Sequence, residues 1–352
     1  MAYTTIDDPS AHFQTKAYSG SGTTQSITND GNSDLQPDWV WIKSRDGTYD
    51  HEVVDSNRGT TKYLYPNLTT VENTSSSKVT SFNSDGFTLN SQAGSPFNSA
   101  TNTYVAWQWK ANGGTTSTNT DGAITSTVQV NSDAGFSILT YTMGSGNETV
   151  GHGLGVTPKV IIYKARFRGD ANGFWAVYTT VIDGSLDYLT LNTTNAKSDS
   201  SLAAPTSTVF TGAGSGTVAY RDFVAYCFAE KQGYSKFGKY NGLLGSTRPV
   251  YTGFKPAFVM IKRTDSTTNA HWIIMDSERG TYNSIDSEKL YANVNNTEAS
   301  LSGDSTSTDF YSNGFRITGT YTGVNSAGAT YFYMAFAENP FVTSTGVPCT
   351  AR

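Results

Sequence analysis

Short runs of apolar, aromatic and β-branched residues alternate along the whole chain with polar stretches rich in Gly, Asn, Ser and Thr. No stretch carries an apolar stripe at helical spacing, so the pattern predicts strands and turns throughout. In the first hundred residues it predicts strands at 13–18, 39–43, 51–54, 62–65, 79–82, 86–89 and 104–109. Many short strands separated by turn residues point to antiparallel sandwiches or jelly rolls.

Laid against itself, the chain shows one unit three times. A Pro followed six residues later by Lys, with apolar residues between, occurs as Pro37–Lys43 (PDWVWIK), Pro158–Lys164 (PKVIIYK) and Pro256–Lys262 (PAFVMIK). Each segment reads as a buried strand entered from a loop, because Pro is tolerated at the start of a strand and not in its middle. Each unit closes on a second aromatic strand: Tyr104–Trp109, Phe223–Phe228 and Tyr331–Phe336. From Pro to the last ring the intervals are 72, 70 and 80 residues, so loops vary while the frame is kept. Entry strands recur at Phe13–Tyr18, Phe136–Tyr141 and Tyr234–Tyr240. A Phe-x-x-x-Gly-Phe turn appears as Phe82, Gly86 and Phe87 and again as Phe310, Gly314 and Phe315, but not in the second unit.

The expected architecture is therefore all-β, with three tandem antiparallel sandwich or jelly-roll-like modules at 13–112, 136–232 and 233–341. An arm (1–12), a linker (113–135) and a tail (342–352) complete the chain, and Ala123–Val130 in the linker alternates well enough to add one strand. A period near 110 residues gives each copy enough chain to own a core, unlike a solenoid repeat.

Composition agrees with this pattern. Charged residues make up only 15% of 352, against 39 Ser, 51 Thr, 34 Gly and 45 aromatic rings, which suits half-buried pleated strands and excludes collagen and coiled coil. A formal net charge of -5 gives no attraction to phosphate backbones, and the densest basic cluster, Lys164, Arg166 and Arg168, is small, so no nucleic-acid partner is expected. No apolar run reaches the ~20 residues a bilayer needs, and no membrane insertion is expected. Met1–Asp8 lacks the features of a signal peptide, so the mature chain is expected to begin there. Cys227 lies in an apolar stretch and Cys349 in the tail, so no disulfide framework is expected.

Repetition also separates packing from chemistry. A catalytic group is needed once, whereas a packing residue is needed in every copy. Trp39 and Trp41 correspond to Val160 and Ile162, then to Phe258 and Met260. Trp107 and Trp109 correspond to Tyr226 and Phe228. A sugar-stacking platform needs a flat ring, while a core accepts any bulky apolar group, so all four are assigned to the core, as are Trp175 and Trp272. The polar signature Asp-Ser-x-Arg-Gly-Thr occurs at Asp55–Thr60 and at Asp276–Thr281, and the second unit offers only Asp183-Gly184. Asp55 with Arg58, and Asp276 with Arg279, can make charge-assisted bonds in a tight turn, and these four residues are assigned to turns rather than to catalysis.

His51 and His271 precede those turns, and no His or Cys pair has metal-ligand spacing, so no metal or cofactor is expected. Gly151–Gly155 lacks the Lys-Ser/Thr ending of a phosphate loop. No carboxylate pair is nominated for glycoside hydrolysis. Tyr49, Tyr63 and Tyr282 remain as loop rings able to stack on a sugar, and the variable intervals 44–50, 165–174 and 263–271 are the loops most suited to touch a cell-surface glycan.

Seven segments resemble a repeat family found in structural proteins of tailed bacteriophages, especially those of marine and cyanobacterial hosts. They are QPDWVWIKSRDGTYDHEVVDSNRGTTKYL from Gln36, SFNSDGFTL from Ser81, TYVAWQWKA from Thr103, VGHGLGVTPKVIIYK from Val150, FVAYCFAEKQGYSKFGKYNG from Phe223, YTGFKPAFVMIKRTDS from Tyr251 and YFYMAFAENPF from Tyr331. Together they are spread along residues 13–341, departing mainly in the middle of the second unit. The resemblance implies a non-enzymatic virion protein, a tail or head fibre or decoration, made in the host cytoplasm and attached to other capsid or tail proteins. It carries no catalytic residues. By analogy with fibres, a homo-oligomer is expected, a trimer in particular, with the arm or the tail docking on a partner and loops reaching the host surface. The alternatives from other classes are a surface-polysaccharide depolymerase and a glycan-binding lectin.

Overall fold

The computed structural model describes residues 2–91, 96–167, 173–214, 221–279, 288–301 and 306–350. Its first third holds β1 (Phe13–Ser19), β2 (Gln25–Ile27), β3 (Trp39–Ser44), β4 (Glu52–Asp55), β5 (Lys62–Leu64), β6 (Asn73–Thr74), β7 (Val79–Phe82), β8 (Phe87–Leu89) and β9 (Thr103–Trp109). The second holds β10 (Ser117–Asn119), β11 (Ser126–Asn131), β12 (Phe136–Met143), β13 (Glu148–Gly151), β14 (Val160–Ala165), β15 (Trp175–Thr179), β16 (Asp187–Thr190), β17 (Ser198–Asp199), β18 (Val209–Gly212) and β19 (Arg221–Phe228). The third holds β20 (Ser235–Asn241), β21 (Arg248–Tyr251), β22 (Phe254–Arg263), β23 (Trp272–Asp276), β24 (Glu288–Tyr291), β25 (Ala299–Ser300), β26 (Thr306–Tyr311), β27 (Gly314–Gly319) and β28 (Thr330–Pro340), with one short helix, α1 (Thr322–Asn325).

The three thirds share one topology. A large antiparallel sheet runs β1-β9-β3-β4-β5-β6 in the first, β12-β19-β14-β15-β16-β17 in the second and β20-β28-β22-β23-β24-β25 in the third. Registers agree residue for residue: Trp39 pairs with Trp109, Val160 with Phe228 and Phe258 with Phe336, the equivalences the sequence predicted. A small sheet accompanies each large one, β2-β8-β7, β13-β18 and β21-β27-β26. The linker contributes two strands rather than one, β10 and β11, which extend the second large sheet. Pro37 and Pro158 lie just before their strands. Pro256 sits inside β22, where the register shifts on either side of it, the bulge that lets a strand hold Pro.

The central strands are buried along their whole length because both faces of each large sheet are covered. Val40, Ile42 and Val54 pack against Ile27, Phe87 and Leu89 of the small sheet, and the other two modules have matching local cores. On the opposite face, Trp39, Trp41 and Trp107 join Val160, Ile162 and Tyr226 and Phe258, Met260 and Met334 in the largest cluster of the molecule. Each module thus owns a small core, as repeat length allows, and the main core belongs to all three. Rings from equivalent positions meet there: Trp109 lies 5.5 Å from Phe336 and Phe228 5.8 Å from Phe336. All six Trp are fully buried, and Trp39 stacks on Tyr226 of the next module at 4.3 Å. Such a pair is worth roughly 0.5–1.5 kcal/mol beyond its burial.

The modules close into a ring. Trp175 of the second donates its indole N–H to Tyr65 O of the first (2.8 Å), and Trp272 of the third donates to Thr190 O of the second (2.9 Å). His51 of the first, at the equivalent position, bonds Tyr291 O of the third through Nε2 (2.9 Å). Its Nδ1 accepts from Trp41 Nε1, which fixes the proton on Nε2. Burial holds His51 down to about 3.

The arm is secured by its own chain. Tyr3 donates to Gly253 O, Thr4 to Gln232 O, and Ile6 is buried in the shared core.

Candidate functional site

Asp55 and Arg58 do form a turn, and the structure adds a role. The Arg58 Nε–H donates to Asp55 Oδ2 (2.6 Å) and its NH1 to Glu72 (3.1 Å), with the Asp and Arg side chains fully buried. Asp55 Oδ2 also accepts the Tyr226 hydroxyl of the second module (2.7 Å), and Arg166 of that module pairs with Glu72 (2.7 Å). Burial and the Asp55 carboxylate push the Tyr226 hydroxyl well above its ordinary pKa. At the junction of the third module with the first, Arg279 pairs with Asp276 (2.7 Å) and Glu298 (2.9 Å), Trp107 Nε1 donates to Asp276 (2.9 Å), and Arg45 pairs with Glu298. These residues are junction fasteners.

The second junction solves the same problem differently. Register places Thr179 where the others have Asp, Ile182 where they have Arg, and Met334 where they have Tyr226 or Trp107. Ile182 and Met334 are buried in the shared core. The sequence reading aligned Asp183-Gly184 with the turn instead. Lys197 takes the place of Glu72 and Glu298: its backbone N–H bonds Thr264 O, as theirs bond Arg166 O and Arg45 O. Its ammonium contacts Asp183 (2.6 Å), Asp187 (2.6 Å) and Asp199 (2.9 Å), three carboxylates close enough to share one cation. Lys197 is that cation, and its bond and that of Ser185 hold the Asp183 carboxyl below its ordinary range.

The three Pro-to-Lys lysines are all buried on the shared-core side and caged by carbonyls. Lys43 donates to Ser44 O and Gly47 O, Lys164 to Thr69 O and Gly173 O, and Lys262 to Arg263 O, Ala270 O and Thr194 O. Burial lowers Lys262 to about 7 and Lys43 to about 8.

Of the loop rings, Tyr63 is half-buried with the Lys78 ammonium 3.4 Å above its face, so that face is covered. Tyr49 is half-buried with its ring against Gly47. Tyr282 lies outside the described residues, as does Arg168 of the basic cluster.

The strongest candidate site was not read from the sequence. It is a cleft of about 430 Å³ on the outer side of the second module, lined by Tyr163, Tyr178, Tyr188, Phe174, Phe223 and Arg221 together with Asn147, Asp199, Ser200 and Ser201. It opens where the small sheet has two strands instead of three, since residues 200–206 form no counterpart to β7 or β26. Small side chains deepen it: Ala176 stands where the other modules have Glu52 and Ile273, and Ala165 where they have Ser44 and Arg263. In the first module the corresponding space is filled by the Lys78–Glu52 ion pair under Tyr63 and Phe97. Tyr163 and Tyr178 stack at 5.5 Å, Tyr178 and Tyr188 lie 5.3 Å apart, and the Tyr163 hydroxyl donates to that of Tyr178 (3.4 Å). The available signal was three rings and two alanines, within segments that otherwise read as ordinary strands.

No curated protein and no solved structure matches the chain. A family model described as a domain of unknown function, DUF7483, matches residues 8–340, nearly the whole of the three-module ring. The chain therefore belongs to the DUF7483 family.

Proposed function

We propose that the chain is a non-enzymatic structural component of a phage particle, a fibre or decoration protein attached to capsid or tail. The observation that carries this reading is the closed ring. One β unit used three times around a common core places its stability in a single rigid body, and its sparsely charged, hydroxyl-rich composition suits a surface component exposed to solvent. The repeat resemblance over residues 13–341 points the same way. Among the described residues no helix is long and apolar enough to cross a membrane.

A homo-trimer is a separate proposal. The ring supplies within one chain the three-fold arrangement that a fibre obtains from three, so a single copy can also seat on a three-fold partner. Mass spectrometry and immunogold labelling of purified particles test the main reading. It predicts the protein at fixed stoichiometry on the particle surface, and its absence from washed particles would overturn it.

The cleft favours one second reading, glycan recognition. A depolymerase needs two carboxylates facing each other across the scissile bond, roughly 5–10 Å apart. Asp199 is the carboxylate among the described residues lining the cleft. Shortening of host capsule by the pure protein, abolished by Asp199→Asn, would establish that activity.

A further inference from the structure

We propose that the cleft of the second module binds a short neutral oligosaccharide. The first argument is comparative. Tyr163 occupies the position of Ile42 and Ile261, and Tyr178 that of Val54 and Met275. The sister modules show that aliphatic side chains satisfy packing at these positions, so rings bearing hydroxyls are not required by the fold. Tyr163 is itself buried in the local core of the second module, so what it brings to the cleft is the ring edge and hydroxyl it shares with the half-buried Tyr178.

The second argument is exposure. Phe174 lines the cleft with 41% of its surface in water, and Phe167, on the same connection between β14 and β15, is 67% exposed. Large apolar rings left in solvent beside a concave site mark a binding surface.

The chemistry selects the ligand class. A pyranose offers an apolar C–H face and a rim of hydroxyls. The cleft offers aromatic rings with hydroxyls at their edges, and Asn147, Ser200 and Ser201 supply further donors and acceptors. Among the described lining residues the charged side chains are Asp199 and Arg221, and Asp199 already bonds the Lys197 ammonium, so the lining offers no cluster of cations to a phosphorylated, sulfated or sialylated glycan. Its volume falls within the range of small-molecule sites, at the end suited to a few sugar units. The inference rests on the site alone, and detection of the protein on particles bears on it neither way.

The test uses the full chain, titrated calorimetrically with maltotriose, cellotriose and triacetylchitotriose, and in a separate arm with sialyllactose. Two variants address the cleft: Phe174→Ala removes the rim ring, and Ala176→Ile fills the floor with the residue the third module uses there. Tyr49→Ala and Tyr63→Ala in the first module serve as controls, and thermal midpoints report folding of every variant. The expected result is millimolar or tighter binding of at least one neutral trisaccharide, weakened about tenfold by Phe174→Ala, abolished by Ala176→Ile and unchanged in the controls. Absence of binding by all three neutral sugars, binding that neither cleft variant weakens, or preference for sialyllactose would overturn the proposal.

Discussion

If the three junctions are alternative solutions to one packing problem, their residues can be exchanged as sets but not singly. At the first junction Asp55, Arg58 and Tyr226 are buried and bonded to one another, whereas the second uses Thr179, Ile182 and Met334. Arg58→Ile alone leaves the Asp55 carboxylate buried without its guanidinium and strips Glu72 of one of two partners. Breaking a buried pair in this way costs about 3–5 kcal/mol. The triple exchange Asp55→Thr, Arg58→Ile and Tyr226→Met removes the buried ion pair and its hydroxyl partner together and installs the residues of the second junction, while Glu72 keeps Arg166. Replacement of a buried ion pair by apolar groups is often neutral, so the triple variant should lie within about 1–2 kcal/mol of the parent. Equilibrium urea unfolding followed by tryptophan fluorescence, with slopes compared to confirm a common transition, measures both. Recovery in the triple variant is a coupling energy of several kcal/mol. A triple variant at least as unstable as the sum of its single changes would refute the equivalence of the junctions.

Three further outcomes follow from particular residues. His51 is held neutral with a folded value of about 3 against an ordinary 6.5, so the unfolded chain binds the extra proton between those limits. Its contribution is complete above pH 6.5 and is lost as pH falls toward 3, by about 5 kcal/mol in all. His51→Gln should flatten the stability profile across that window, and an unchanged slope would contradict the assignment. Gly86→Ala should destabilise by more than about 1 kcal/mol, because φ is +91° and a Cβ would stand 1.9 Å from Ile27 O. Gly59→Ala, at φ +87° with nothing within 4 Å, should show only the smaller backbone cost in the same melt. Cys227 is buried and its thiol pushed up by desolvation, so a thiol reagent should titrate Cys349 alone in the native protein and both residues in denaturant. Reaction of both thiols before unfolding would place Cys227 elsewhere.

The sequence made the frame legible because buried central strands must be apolar on both faces, which is why PDWVWIK, PKVIIYK and PAFVMIK stand out. All seven strands expected in the first module are present, within a residue or two at their ends. The strands missed there, β2 (Gln25–Ile27) and β6 (Asn73–Thr74), are short and mostly polar and are recruited by edge pairing rather than by their own pattern. His51 and His271 both precede the Asp-Ser-x-Arg-Gly-Thr turns in the sequence, but register aligns His51 with Trp272. The two imidazoles share only sequence proximity, whereas His51 and Trp272 share a donor aimed at the neighbouring module. Nothing in a local pattern reveals that the second face of each sheet is covered by sister modules rather than by a partner of its own. The cleft stayed hidden for a related reason: Tyr163 and Tyr178 satisfy strand propensity wherever they point, and only the register against Ile42, Ile261, Val54 and Met275 shows them to be exceptions.

Differential scanning calorimetry of the intact chain probes the common core. A core shared by three modules predicts one cooperative transition whose van't Hoff and calorimetric enthalpies agree. Two or three separable transitions, each carrying the heat of a single module, would contradict it.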